Sequence, residues 1–260
     1  MPAYNTLAIV LRRVNFGETD KILTLFSPEQ GRFSAIAKGA RKAISRLSGA
    51  TEALTCTRFQ LATGKSLEIV TQCEVQESFP ALRHELTRLA HGLYLADLLD
   101  HSVEDHAPNP LLFDLLMTGL HLVQTLTPPE LAARWFEIQL LCDLGYAPNL
   151  RECAVCHTPV PGEFARDETF ALSASQGGAV CPHHARPSSQ EDHSTLSYGA
   201  LRLLQALEGV GIEAAPETLP ALPTPGPKNL DLTRLALRRS LRYRLERDLK
   251  SLEFLDSLRP

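Results

Sequence analysis

Leu67-Glu-Ile-Val-Thr-Gln-Cys-Glu-Val75 alternates in a way that decides the reading of the whole N-terminal region. Leu67, Ile69, Thr71, Cys73 and Val75 fall on one side and Glu68, Val70, Gln72 and Glu74 on the other, a period of two that belongs to a half-buried strand. Cys73 is then expected in a core. Working towards the N-terminus, similar strand-like runs occupy 6–14, 21–26, 33–38 and 53–61, separated by turn-forming stretches. Ser27-Pro-Glu-Gln-Gly31 and Thr63-Gly-Lys-Ser66 carry the Gly and Pro residues that hairpin connections require. Five short antiparallel strands, with a longer polar link between the third and fourth, predict a small closed barrel such as an OB-fold over residues 1–80, though another small barrel fits the same strands.

Beyond Pro80 the period becomes helical. Leu82, Leu86, Leu89, Leu93 and Ala96 mark one helix, and Asn109-Pro110 opens a second with a capping residue followed by proline at the first helical position. Thr127-Pro-Pro-Glu130 has the spacing of a capping box for a third, which carries Trp135, Ile138 and Cys142 and is expected to stop at Gly145. Residues 81–150 thus form the first part of a helical domain. Residues 151–193 are rich in Pro, Gly, Ser and His, with no periodicity long enough to build a core. Residues 194–260 return to helix, with a short one over 197–208, a Pro-rich connector, and a long last one through Leu237, Leu241, Leu245, Leu249, Leu252 and Leu255. The fold class expected is α+β multidomain: an N-terminal OB-fold β-barrel, an α-helical domain and an inserted zinc-binding module.

The inserted segment needs something other than a hydrophobic core, and its cysteines supply it. Cys153-Ala-Val-Cys156 and Cys181-Pro-His-His184 are two pairs of x₂ spacing, the arrangement that sets four soft donors around a tetrahedral zinc. Spacing favours His184 as the fourth ligand, with His183 and His157 as competitors. Four protein ligands leave no open position, so the site reads as structural and holds one zinc per chain. A catalytic zinc with three ligands and Glu152, Glu163 or Glu168 nearby is the alternative. The zinc deaminase signature is absent, since no His-x-Glu occurs.

The formal net charge of −4 hides an uneven distribution. Residues 1–80 hold ten basic and seven acidic side chains, and residues 226–260 nine and five. Residues 81–150 hold three and nine, and residues 151–225 four and nine. The basic side chains of the first region are concentrated in Arg12, Arg13, Lys21, Arg32, Lys38, Arg41, Lys42 and Arg46, a set suited to tracking a phosphate backbone, with Phe16, Phe33 or Phe59 available for base stacking. A solvated rim with the aromatics in the core is the plainer reading. Arg234, Arg238, Arg239, Arg242, Arg244 and Arg247 on the last helix either extend that surface or serve the helix through Arg242–Glu246 and Arg244–Asp248 pairs.

Several function classes lack their parts. Gly64-Lys65-Ser66 resembles the end of a phosphate-binding loop, but the required first glycine is Phe59. No nucleophile elbow, dinucleotide fingerprint or H-E-x-x-H is present, so the chain is expected not to be an enzyme. No run of about 18 apolar residues occurs and no charged leader precedes the first apolar run, so the expected location is cytoplasmic.

Gly17-Glu-Thr-Asp20, Glu29-Gln-Gly-Arg32, Ala37-Lys-Gly-Ala-Arg-Lys42, Arg134-Trp-Phe-Glu137, Leu144-Gly-Tyr-Ala-Pro148 and Cys153-x₂-Cys156, in this order, resemble the bacterial RecO recombination mediators. The stretch from Arg242 to Leu255 is similar too, so the resemblance covers nearly the whole chain. It implies binding of single- and double-stranded DNA and annealing of complementary strands. It also implies action with RecR to load RecA onto DNA coated by single-strand-binding protein, and so a nucleoid-associated place in the cytoplasm. Lys38, Arg41 and Lys42 match the family's basic loop, and Cys153 and Cys156 its first zinc knuckle. Where many relatives have a second CxxC, this chain has Cys181 and His184. A zinc-ribbon accessory factor in transcription or translation is the rival reading, and metal-dependent hydrolysis ranks last.

Overall fold

The computed structural model describes residues 3–64, 66–185, 193–246 and 250–258. The chain groups into two compact units, Met1–Gln124 with Leu249–Pro260, and Thr125–Asp248.

In the first unit five strands, β1 (Ala3–Phe16), β2 (Asp20–Ser27), β3 (Gly31–Ala37), β4 (Cys56–Ala62) and β5 (Glu68–Glu77), form a ring in the order β1-β2-β3-β5-β4, with β4 returning to β1. Its interior is filled by Ala8, Val10, Leu23, Leu25, Phe33, Ala35, Phe59, Leu61 and Val70. Apart from Val70 of β5, these side chains come from alternate positions of β1 to β4, as the pleat demands. Gly31 sits at φ +65°, and a Cβ there would lie 2.3 Å from the Ala107 carbonyl oxygen. Only glycine permits both the turn and the close approach of that second chain segment.

The unit also holds α1 (Pro80–His84), α2 (Leu86–Ser102), α3 (Pro110–Thr125) and α8 (Lys250–Ser257): α2 packs on β1, α1 and α8 pack on α2, and Phe113 of α3 meets Phe26 of β2. Asn109 caps α3 as expected, its Oδ1 accepting from Leu112 N–H at 3.0 Å. The single helix expected after Pro80 is broken at Glu85, whose backbone is extended.

The second unit contains α4 (Glu130–Asp143), a three-stranded antiparallel sheet of β6 (Thr169–Ser173), β7 (Gly178–Val180) and β8 (His193–Ser197), then α5 (Tyr198–Glu208), α6 (Ala215–Ala221) and α7 (Pro227–Leu245). Trp135 is wholly buried, and its indole N–H donates to the Val210 carbonyl at 2.8 Å, which anchors α4 to the end of α5. The Thr127 to Glu130 capping box does not form, because α4 begins with Pro129 at the N-cap position and no side chain caps it. Gly145 does close the helix at φ +80°, its N–H donating to the Cys142 carbonyl at 3.1 Å.

The expected fold class needs correction. The OB-fold barrel expected from the sequence is antiparallel throughout, but β3 and β5 run parallel and meet only at Ala35↔Glu68 and Ile36↔Ile69, so this short seam replaces a full antiparallel ladder. The phase of β5 is also reversed at its start. A bulge at Thr71 sets Gln60 opposite Gln72 and Leu61 opposite Val70. One extra residue on β5 turns Val70 into the core while Cys73 still packs against it, and Thr71 is exposed. The zinc-binding segment is not irregular throughout, since β6 and β7 lie within it and β8 follows. The long last helix is two: α7 ends at Glu246 in a left-handed conformation of φ +53°, and α8 packs on α2 in the first unit, with Ser251 Oγ donating to Asp97. The architecture is α+β in two units.

Candidate metal centre and nucleic-acid interface

Cys153, Cys156, Cys181 and His184 converge, their donor atoms all within 4.8 Å of one another. Two local turns aim them. In the first, Cys153 N–H donates to the Thr158 carbonyl and His157 N–H to the Cys153 carbonyl, both at 2.9 Å, which folds the x₂ loop so that both sulfurs face one side. In the second, His184 N–H and Ala185 N–H both donate to the Cys181 carbonyl at 2.9 Å, and Cys181 N–H points at Cys153 Sγ at 3.4 Å. Gln205 ties the first loop to α5, donating to the carbonyls of Leu150 and Val160 at 2.7 and 2.9 Å.

The donor spacing fits a tetrahedral ion. Bonds of about 2.3 Å to sulfur and about 2.05 Å to nitrogen imply S···S edges of about 3.8 Å and S···N edges of about 3.6 Å. Cys156 Sγ lies 3.8 Å from Cys181 Sγ, and His184 Nδ1 lies 3.9 Å from Cys153 Sγ and 3.3 Å from Cys181 Sγ. Of the competing histidines, the His183 ring faces Phe164 edge-on at 5.5 Å, and His157 occupies a left-handed turn at φ +58°. The four clustered residues can hold a metal. The Cys156 thiol is pulled down to about 6, first by its hydrogen bond with the Thr158 side chain, while burial pushes Cys181 up to about 11. A cation is what lets several such sulfurs ionise side by side.

At one end of the ring, the loop after β3 carries Lys38, Arg41, Lys42 and Arg46, all exposed. The turn between β1 and β2 holds this loop in place. The Asp20 carboxylate accepts Gly39 N–H at 2.8 Å and Thr19 Oγ1 at 2.9 Å, Arg41 N–H donates to the Thr19 carbonyl at 2.8 Å, and the Arg41 guanidinium donates to the Gly17 carbonyl at 3.1 Å. These bonds, with the nearby Lys38 and Lys42 charges, hold the Asp20 carboxyl below its usual range.

The other four basic residues are placed differently. Lys21 is 4% exposed, and its amine donates to Glu52 Oε1 at 2.9 Å and to Thr51 Oγ1 at 3.1 Å. Arg13 pairs with the same carboxylate at 2.8 Å. Arg32 donates to Asp105 at 2.7 Å and to the Asp100 carboxylate at 3.0 Å. Arg12 stays largely exposed, 4.0 Å from Asp100. Among the aromatics, Phe33 and Phe59 lie in the core and Phe16 is 52% exposed beside the basic loop. Sequence reasoning missed the acidic partners Glu52, Asp100 and Asp105, which lie far along the chain from the cations they neutralise.

On α7, Arg234 pairs with Asp231 at 2.7 Å and Arg239 donates to the His193 carbonyl. The Arg244 guanidinium lies 4.9 Å from the Tyr146 ring centre. Arg247 and Asp248 lie outside the described residues.

Residues 1–79 match the family model for the recombination protein O N terminal, and residues 83–253 that for the recombination protein O C terminal. The chain belongs to the recombination protein O family. Relatives named DNA repair protein RecO share its full extent. The protein of Roseiflexus sp. (strain RS-1) is 37% identical over 98% of this chain and 86% of its own length. Those of Heliobacterium modesticaldum and Pelotomaculum thermopropionicum are each 38% identical, over 99% and 98% of this chain and 91% and 94% of their own. The two family models meet between Phe79 and Arg83, where the ring passes into α1. No helix among the described residues is long and apolar enough to cross a membrane.

Proposed function

We propose that this recombination protein O family member acts in DNA repair and homologous recombination as a mediator: it binds single- and double-stranded DNA and anneals complementary strands. With RecR it helps load RecA onto single strands coated by single-strand-binding protein. Family membership supports the repair role and a non-catalytic mode of action. The observation that carries the DNA contact is the exposed cation loop Lys38, Arg41, Lys42 and Arg46, held rigidly by Asp20 and the Gly17–Thr19 carbonyls.

The mechanism is electrostatic. Fixed cations displace counterions from phosphates and lower the repulsion between two strands, so pairing is faster without any bond being made or broken. Arg12 extends the contact, whereas Lys21, Arg13 and Arg32 act by shaping the ring through their carboxylate partners. One zinc, held by Cys153, Cys156, Cys181 and His184, braces the loop segment of the second unit. Its four ligands fill a tetrahedral shell and leave no place for substrate. The cell compartment this activity requires is the cytoplasm, at the nucleoid.

The test is strand annealing and single-stranded DNA binding across a salt series, for the wild type and a folded Lys38→Glu, Arg41→Glu, Lys42→Glu variant. Steep salt dependence that is lost in the variant supports the reading. A wild type that neither binds nor anneals at low salt overturns it.

A further inference from the structure

Ile44 is 97% exposed, an isoleucine standing in water between Lys42 and Arg46 on the basic loop. The loop that carries it is not a floppy excursion. Lys42 N–H donates to Gly39, Ser45 N–H to Lys42 and Ser48 N–H to Ser45, and Leu47 packs against the ring interior. With Leu47 turned in, these successive turns hold Ile44 outward, so it does not fold back onto the ring.

A second apolar group is exposed at the same end. Arg12, Val14 and Phe16 share one face of β1, opposite Thr24, Ile22 and Asp20 of β2. Val14 and Phe16 are each 52% exposed. Phe16 precedes Gly17, whose carbonyl accepts the Arg41 guanidinium, so the backbone that carries Phe16 meets the cationic loop at one end of the first unit.

We propose that Phe16 and Ile44 are base-contacting residues that grip unpaired nucleobases while Lys38, Arg41, Lys42 and Arg46 hold the adjoining phosphates. This role rests on the nucleic-acid reading above and adds its selectivity. A row of phosphates explains the cations but offers nothing to an exposed isoleucine and phenylalanine. A duplex hides the base faces, and a single strand presents them beside its phosphates. Apolar groups framed by four cations therefore match a single-stranded polynucleotide better than a duplex. The surface would hold a strand by its bases without reading sequence, since every base has an apolar face.

The experiment compares an oligothymidylate, an abasic strand of equal length and a duplex, by fluorescence anisotropy over a salt series. The proteins are the wild type, a Phe16→Ser, Ile44→Ser variant and the Lys38→Glu, Arg41→Glu, Lys42→Glu variant, each confirmed folded by circular dichroism. The wild type should bind oligothymidylate more tightly than the abasic strand. The Phe16→Ser, Ile44→Ser variant should lose about tenfold or more on oligothymidylate, the order expected when stacked bases lose their platform. Its abasic and duplex affinities and its salt slope should stay near wild type. The charge variant should weaken on all three ligands and show a shallower slope. If the wild type does not distinguish oligothymidylate from the abasic strand, or the apolar variant matches the wild type, this proposal fails and DNA binding stands. If the wild type binds none of the three, the DNA reading itself fails.

Discussion

The Asp20 carboxylate accepts the backbone N–H of Gly39 at 2.8 Å, so the turn after β1 sets the shape of the basic loop after β3. Removal of this carboxylate should loosen the loop without touching a cation. Asp20→Ala is expected to weaken single-stranded DNA binding several-fold while leaving the number of cations, and so the salt slope, nearly unchanged. A variant that binds as well as the wild type shows that the loop needs no such anchor.

The same contact has a pH signature. Asp20 is held below its ordinary value of 3.8 by Gly39 and Thr19, so its contribution is complete above that value and is lost as pH falls through the lower folded one. Loop ordering, followed by exchange of the Gly39 amide or by an NMR titration of Asp20, should persist to a pH below the ordinary carboxylate range. An Asp20 that titrates at its ordinary value contradicts the anchor.

Lys21 and Glu52 form a mostly buried pair, and Arg13 shares the carboxylate. Burial raises the Glu52 pKa, but Lys21 and Arg13 outweigh it and hold it down. Lys21→Met should cost about 3 kcal/mol, the low end for breaking a buried pair, because Glu52 is partly solvated. Urea denaturation measures this. DNA affinity of the folded fraction should hardly change, which separates Lys21 from the exposed loop cations.

Metal removal should act on the second unit. Elemental analysis is expected to find one zinc per chain, and a strong chelator should lower the thermal midpoint. Cys153→Ser and His184→Ala should each reduce zinc content, while His183→Ala and His157→Ala should leave it near wild type. Zinc that survives His184→Ala would return the fourth position to the other two histidines.

Gly31→Ala tests the approach of the 106–107 segment to the ring. The left-handed backbone alone costs a non-glycine residue about 1–2 kcal/mol, and the collision with the Ala107 carbonyl adds to it. The expected outcome is a lower urea midpoint with an unchanged slope.

Local pattern in the chain was enough for the five strands, the Asn109 cap, the Gly145 stop and the Cys153, Cys156, Cys181 and His184 cluster, because period, capping and x₂ spacing are properties of neighbouring residues. The family was legible in the order of short motifs, and the structure shows what two of them do: Asp20 organises the basic loop, and Gly31 admits the Ala107 backbone. What only the tertiary structure decided is which groups face one another across long stretches of chain. Lys21 and Arg32 read as surface cations until Glu52, Asp100 and Asp105 arrive beside them, whereas the burial of Phe33 and Phe59 follows a small barrel's need for large core side chains. The bulge at Thr71 belongs to the same class, since a strand's phase depends on the partner it pairs with and one extra residue reverses it. Charge pairing, burial and register are relations between distant residues, and no count along the sequence contains them.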